Sequence, residues 1–231
     1  MKISIIVANA ALAVFVPALA NAQQAPTGEK AYLQQSVPSV ENAFELTVGT
    51  GYTQGFGMLQ SGVGMPSVAK AGLGIDLGVG YRVAPRWSLT IGGQYQELDA
   101  QRATGARGVA MAFSAAYHID PNVRLDPWVE LGGGYRMLWE TTSVANAPSL
   151  LTHGLELARA RIGFDVRVSP EVAISPVIGA DATVFLWQDA TTNSAISSPT
   201  VSTFIFGGLQ GRMDIGGTKV GTATITSATQ E

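Results

Sequence analysis

Apolar and polar residues alternate along this chain with a period of two. Segment 73–83 shows the pattern most clearly, because its odd positions are all apolar and its even positions are glycine, aspartate or arginine. Such alternation places one set of side chains on each face of a β-strand. The pattern therefore predicts an all-β chain. The alternating segments are 43–53, 71–83, 87–98, 107–119, 127–139, 154–168, 172–187 and 201–215.

The connections between these eight segments alternate in length. Three are short turns around Pro85, Pro121 and Pro170, where proline fixes its own backbone angle and cannot donate to a strand ladder. The segments reach or exceed the roughly 9–11 residues that a tilted strand needs to cross a bilayer. We therefore predict an eight-stranded antiparallel up-and-down transmembrane β-barrel over residues 43–215. The long loops are 54–70, 99–106, 140–153 and 188–200.

The N-terminus has the three parts of a secretory signal peptide. Lys2 gives the positive charge, an apolar run follows, and Ala20-Asn21-Ala22 is a small-x-small cleavage site. We therefore predict a signal peptide over 1–22, with a single membrane anchor as the alternative. A flexible periplasmic leader is predicted for 23–42 and a polar C-terminal tail for 216–231. Together these features predict export to the bacterial outer membrane.

The composition agrees with a membrane barrel and excludes other classes. Charged residues make up 13% of the chain, cysteine is absent, and glycine occurs 27 times. A net charge of −3 is too small to indicate a nucleic-acid partner. The alternative is a secreted soluble β-barrel with aromatic residues in its core.

Tryptophan and tyrosine cluster at the predicted strand ends, as expected for aromatic belts at membrane interfaces. Trp87, Trp128, Tyr81 and Tyr117 lie at the turn side, and Trp139, Trp187, Tyr52 and Tyr95 lie at the loop side. The last strand breaks the alternation. Its phenylalanines are at even positions and its other apolar residues at odd ones, so we predict a bulge at Gly207-Gly208 that restores one apolar face.

Charged residues of both signs fall on the predicted inward face. Buried charges must be paired, and eight strands leave an interior that side chains largely fill. We therefore predict an ion-pair network that closes the lumen, with a gated narrow conduit as the alternative. Glu130 is the expected counter-charge for Arg159 and Arg161. The inward set is Glu45, Asp76, Arg82, Glu130, Arg136, Arg159, Arg161, Asp165, Arg167, Asp181, Arg212 and Asp214.

Two motifs carry a family resemblance, Leu77-Gly78-Val79-Gly80-Tyr81-Arg82 and Leu131-Gly132-Gly133-Gly134-Tyr135-Arg136. With the signal and the eight segments, they make the chain similar to the small outer-membrane barrels: the OmpA membrane domain, OmpX and OmpW-like proteins. The resemblance implies a porin-like monomer among outer-membrane lipid and lipopolysaccharide, inserted by the barrel assembly machinery. The chain departs from it by ending Ser-Ala-Thr-Gln-Glu instead of in the aromatic residue that this machinery recognises.

Little in the sequence indicates catalysis, a cofactor or a metal. Gly78-Val79-Gly80 lacks the strand-to-helix context of a nucleotide site. His118 and His153 fall at opposite rims, too far apart to share a metal. A lipid A-modifying enzyme using His153, Ser149 and Glu156 is a minor alternative, since some eight-stranded barrels use such a rim set.

The function predicted from these observations is a non-enzymatic structural or surface-interaction role, with a narrow channel or transporter for small or hydrophobic solutes as the alternative. The first long loop, 54–70, is a possible contact surface for a ligand. It is apolar for an external loop, with Phe56, Met58, Leu59, Val63 and Met65.

Overall fold

The computed structural model describes residues 35–101, 105–141, 149–189 and 193–220. The predicted signal peptide, most of the predicted leader and the last part of the predicted tail lie outside these ranges. No helix among the described residues is long and apolar enough to cross a membrane. The only helix in these ranges is the single turn α1, Met65–Val68.

Eight long strands, each antiparallel to its neighbours, form a closed barrel in which the first strand pairs with the last. The predicted fold class is therefore confirmed. The barrel strands are β2 (Ala43–Gln60), β4 (Ala71–Ala84), β5 (Trp87–Leu98), β6 (Gly105–His118), β7 (Leu125–Thr141), β8 (Leu150–Arg167), β9 (Val172–Asp189) and β11 (Val201–Ile215). The short strands are β1 (Ser39–Glu41), β3 (Val63–Gly64), β10 (Asn193–Ala195) and β12 (Thr218–Val220).

Alternation along each strand separates an apolar outer wall from a polar interior. On β4, Leu73, Ile75, Leu77 and Val79 are exposed, whereas the intervening Asp76 is buried. Water would not tolerate such a continuous apolar surface, and a bilayer requires it. The outer wall is therefore the lipid-facing surface.

The last barrel strand differs from the prediction. Its register with β2 and β9 is continuous, so the predicted bulge at Gly207-Gly208 is wrong. Phe204 and Phe206 point into the lumen and are buried. Glycines on the neighbouring strand make room for them, because a Cβ at Gly51 would stand 2.8 Å from the Phe206 ring and one at Gly55 would stand 3.3 Å from the Phe204 ring.

Trp128 also faces inward, so its assignment to the turn-side aromatic belt is wrong. Its side chain is buried and its Nε1 donates to Asp165 Oδ1 at 2.9 Å. The opposite position on β8 is Gly163, where a Cβ would collide with the indole at 2.4 Å. Trp87 and Trp187 are exposed on the outer wall, as the belt requires.

A small two-stranded sheet lies outside the barrel and is called here the terminal clamp. It pairs β1, from the expected leader, with β12, from the expected tail. Gly216 and Gly217 have positive φ angles and make the reversal between β11 and β12 possible. Lys219 Nζ lies 2.6 Å from Glu171 Oε1 in the turn before β9, so the clamp also contacts the barrel's turn end.

Strand β2 continues to Gln60, well into the predicted first loop. The remainder of that loop is β3 and α1, which fold inward: Met65 and Val68 are completely buried. Leu59 is buried too, whereas Phe56 and Met58 are exposed. The predicted apolar loop therefore divides into an inward part and an outward part.

Candidate functional site

The lumen is the most elaborate polar site of the described residues, and it has three levels. The lowest, at the end of the barrel with the short turns, is called here the basal network. It is built from the inward ends of β2, β4, β6, β7, β8 and β11. Its members are Glu45, Arg82, His118, Asp126, Asp165, Arg167, Arg212 and Asp214.

Ion pairs join these strands inside the lumen. Arg82 Nη2 lies 3.1 Å from Glu45 Oε2, and Arg212 Nη1 contacts Asp165 Oδ2. Arg167 Nη2 lies 3.4 Å from Asp126 Oδ2. The first and last of these pairs join neighbouring strands, and the Arg212–Asp165 pair joins β11 to β8, so the network fastens the barrel at its turn end.

His118 lies within this network, and its hydrogen-bond partners define the tautomer of its imidazole ring. Guanidinium groups only donate hydrogen bonds, and Arg82 Nη2 lies 3.1 Å from the imidazole Nε2. Nε2 therefore accepts, and Nδ1 donates to Asp126 Oδ2 at 2.7 Å. His118 is a neutral bridge between an arginine and a carboxylate.

The basal network also contains a possible metal-ligand set, His118, Asp126 and Asp165, whose ligand atoms lie within 4.8 Å of one another. Its surroundings do not suit a cation. Arg212 contacts Asp165 and Arg167 lies beside Asp126, so guanidinium groups already neutralise both carboxylates. Since its carboxylates are paired with arginines, the cluster is part of an ion-pair network.

The upper network lies on the loop side and consists of Arg136, Glu156, Arg159 and Asp181. Arg136 Nη2 lies 2.7 Å from Asp181 Oδ2 and 3.1 Å from Glu156 Oε2. Arg159 Nε lies 2.7 Å from Glu156 Oε1 and 3.4 Å from Asp181 Oδ1. Two arginines thus alternate with two carboxylates, and all four side chains are buried.

Arg161 lies on β8 between the members of the two networks on that strand. Its Nη2 lies 2.9 Å from Asp76 Oδ1, and its guanidinium lies over the Phe206 ring at 5.2 Å. Glu130 is opposite Arg161 in the β7–β8 register, but no ion pair within 4.0 Å joins it to an arginine in the described part of the chain. The expectation that Glu130 is the main counter-charge for Arg159 and Arg161 is therefore wrong.

A chamber of about 30 Å³ remains at the centre of the lumen. Thr47, Thr90, Ser114 and Glu130 contribute to its lining. Such a volume has room for about one or two waters. It does not form an open conduit.

An apolar layer, called here the cap, closes the lumen above the upper network. It forms where α1 and the loop-side ends of the strands meet, and Arg136 lies against its Phe204 ring at 4.1 Å. The cap consists of Leu59, Met65, Val68, Ala69, Leu98, Ala106, Leu138, Phe185, Ile196 and Phe204.

The structure places the sequence-predicted inward set in the lumen, and each member except Glu130 has an ion-pair partner within 4.0 Å. Three members of the networks were missed by sequence reasoning: His118, Asp126 and Glu156. His118 shares the inward parity of β6, which is a signal that could have found it. Glu156 is at an even position, whereas the inward residues that follow it on β8 are at odd positions. The difference arises because β8 contains a bulge between Glu156 and Ala158.

The minor enzyme alternative fails on this geometry. Glu156 lies in the lumen with Arg136 and Arg159, whereas His153 lies on the outer wall. His153 instead contacts Tyr135 and Asp189. The set of His153, Ser149 and Glu156 is therefore not a site.

Comparisons with known proteins agree with this architecture. The chain is similar to Neisserial surface protein A, with TM-score 0.55 and 12% identity over 74% of this chain and 97% of that one. It also resembles OprG of Pseudomonas aeruginosa (TM-score 0.48, 10% identity, 76% and 98% covered) and Ail of Yersinia pestis (TM-score 0.44, 12% identity, 75% and 99% covered). No protein-family model and no curated protein matches the sequence. The chain thus has the fold of the small eight-stranded outer-membrane β-barrels, as the resemblance predicted.

Proposed function

We propose that this protein is an outer-membrane barrel with a closed lumen and a structural or surface-interaction role. The observation that best supports the proposal is that the basal network, the upper network and the cap follow one another along the barrel axis. Contacts between opposite walls include Arg212 with His118 in the basal network and Arg161 with Asp76 above it. A solute would have to break buried ion pairs and displace the cap in order to pass.

We propose the outer membrane as the location of the protein, because this location agrees with both the predicted signal peptide and the closed barrel. A signal peptide directs export, and a closed barrel satisfies every backbone group in lipid. The partners we propose are outer-membrane lipid and lipopolysaccharide around a monomer, with insertion by the barrel assembly machinery. Boiled and unboiled samples should migrate differently on a gel, and recovery in the soluble periplasmic fraction would refute the membrane location.

The extension of β2 provides the surface for interaction. Tyr52 donates a hydrogen bond to Gln54, and this polar pair is typical of a membrane boundary. Phe56 and Met58 lie beyond it and are exposed. We propose that these two side chains contact a ligand or partner at the cell surface.

Accessibility labelling tests this orientation. Because the chain has no cysteine, Met58→Cys creates a single thiol. We expect a membrane-impermeant maleimide to label it on intact cells. Ser169→Cys, in a short turn, is the matched control and should react only after lysis. The reverse pattern would refute the proposed orientation.

Conductance tests the closed lumen directly. We expect the purified protein in planar bilayers to show no stable ohmic channels, because the central chamber holds only about one or two waters. Large, stable, ohmic current steps would refute the proposal that the lumen is closed. They would favour the alternative, a narrow channel for small or hydrophobic solutes.

A further inference from the structure

An exposed arginine lies on the outer wall at the turn end of the barrel. Arg86 is in the short turn between β4 and β5. Its carbonyl oxygen accepts from the backbone N–H of His118 at 2.8 Å, which holds the turn against β6. Its Nη1 donates to the Tyr117 hydroxyl at 3.1 Å. Because Tyr117 is on the outward face of β6, the guanidinium lies beside the lipid-facing surface and not over the lumen.

Aromatic side chains surround this arginine at the level of a membrane interface. Trp87 is directly opposite Tyr117 in the β5–β6 register, and their ring centroids are 5.0 Å apart. Tyr81, on the neighbouring strand, packs against Phe44 at 5.5 Å. Tryptophan and tyrosine prefer the depth of the lipid headgroups. The guanidinium of Arg86 is therefore at headgroup depth.

The protein does not balance the charge of Arg86. No carboxylate of the described residues lies within 4.0 Å of its guanidinium, and this includes Asp120 in the next turn. Arg107, the comparable outward arginine at the loop end, pairs with Glu97 at 3.1 Å. The Tyr117 oxygen accepts from Arg86, so its own proton is available to a further acceptor. Arg86 and Tyr117 thus offer adjacent donors and a positive charge to an anion.

We propose that Arg86 and Tyr117 bind the phosphodiester group of a phospholipid headgroup. The planar guanidinium matches the paired anionic oxygens of a phosphate. Leu89 and Ile91 continue the exposed apolar face of β5 beyond Trp87, and the acyl chains lie against them. The short turns of such barrels face the periplasm, where the leaflet consists of phospholipid. The inference rests on that proposed orientation, which the thiol labelling tests separately.

Lipid competition tests the site itself. The purified protein would be equilibrated with equal amounts of phosphatidylglycerol and phosphatidylcholine of the same acyl chains, and the retained lipids counted by native mass spectrometry. Both lipids have the phosphodiester, but the ammonium of phosphatidylcholine finds no carboxylate beside Arg86. We expect an enrichment of phosphatidylglycerol of about fivefold, as for one cation beside an anionic lipid.

The variants decide which arginine is responsible. Arg86→Gln should abolish the enrichment, and Arg107→Gln, the matched outward control, should leave it unchanged. Both variants should keep the heat-modifiable mobility of a folded barrel. Equal retention of the two lipids by the wild-type protein, or an undiminished preference in Arg86→Gln, would overturn the proposal.

Inorganic phosphate separates a lipid from a soluble ligand. An excess of inorganic phosphate should leave the retained phosphatidylglycerol in place, because its acyl chains stay on the apolar wall. Release of the lipid would mean that the site takes free phosphate, and would overturn the assignment to a headgroup.

Solid-state NMR in phosphatidylglycerol bilayers provides a second check. Phosphorus-31 should dephase an arginine side-chain nitrogen-15 signal in the wild-type protein, and that signal should be missing in Arg86→Gln. Dephasing that persists undiminished in the variant would overturn the proposal, as would its absence from the wild-type protein.

Discussion

Arg136 is the side chain on which the upper network depends most. It is completely buried and contacts two carboxylates, Glu156 and Asp181. It also donates to Gln96 Oε1 at 3.0 Å and lies over the Phe204 ring. Arg136→Met keeps a long apolar stem against the ring and removes the charge.

The expected loss follows from the charges that remain. Glu156 and Asp181 would share Arg159 alone, leaving one buried carboxylate uncompensated at a cost of roughly 3–5 kcal/mol. Adding Asp181→Asn should recover most of this loss. The double variant retains the Arg159–Glu156 pair at 2.7 Å and leaves no unpaired charge.

Urea titration in lipid vesicles, followed by tryptophan fluorescence, measures both variants. Arg107→Met is the matched control, because Arg107 pairs with Glu97 on the exposed wall, where such pairs contribute about 0–1 kcal/mol. The reasoning would be refuted if Arg136→Met lost no more stability than Arg107→Met. It would also be refuted if Asp181→Asn added to the loss.

Leu131→Arg places a guanidinium on the lipid-facing wall and should lower the free energy of unfolding by about 2–4 kcal/mol in the same titration, whereas Leu131→Ala should cost far less. Phe206→Ala should lose about 3–5 kcal/mol, because the ring packs against Trp128 inside the lumen; a small loss would mean that Phe206 faces lipid. At the turn end, a hydrogen bond from Lys219 lowers the pKa of Glu171. The contact therefore stabilises the terminal clamp fully at pH values above the ordinary carboxyl pKa. The stabilisation is lost as the pH falls through the lowered pKa of Glu171. Acidification should therefore speed hydrogen exchange of the β12 amides in the wild-type protein, relative to their intrinsic rate, and Glu171→Gln should abolish that dependence.

The barrel could be predicted from sequence because strand alternation is local. Each residue's face on β4, β5 and β6 follows from its parity, and no knowledge of distant strands is needed. Most charged members of the lumen were found for the same reason, with Asp126 and Glu156 as the exceptions. Lipid excludes arginine and aspartate from one face, so parity assigned Arg82 and Asp76 correctly.

Apolar residues inside the lumen could not be assigned by the same reasoning. Phe204, Phe206 and Trp128 are as compatible with lipid as with a packed interior, so composition alone does not place them. What accommodates them inside is the space left on neighbouring strands by Gly51, Gly55 and Gly163. Those glycines are visible in the sequence, but pairing them with the rings requires the register between strands.

The single extra residue in β8 has the largest consequence for the site. Its signal in the sequence is a change of apolar parity, from the odd positions Leu155 and Leu157 to even positions from Ile162 onward. It turns Glu156 inward, where Arg136 and Arg159 both require it, and it turns His153 outward to Asp189. If β8 had no bulge, the Glu156 carboxylate would face lipid and an arginine of the upper network would lose its partner. Each of these changes would cost several kcal/mol. The balance of charge in the lumen therefore specifies the bulge. The same bulge that supplies Glu156 to the upper network also places His153 on the outer wall.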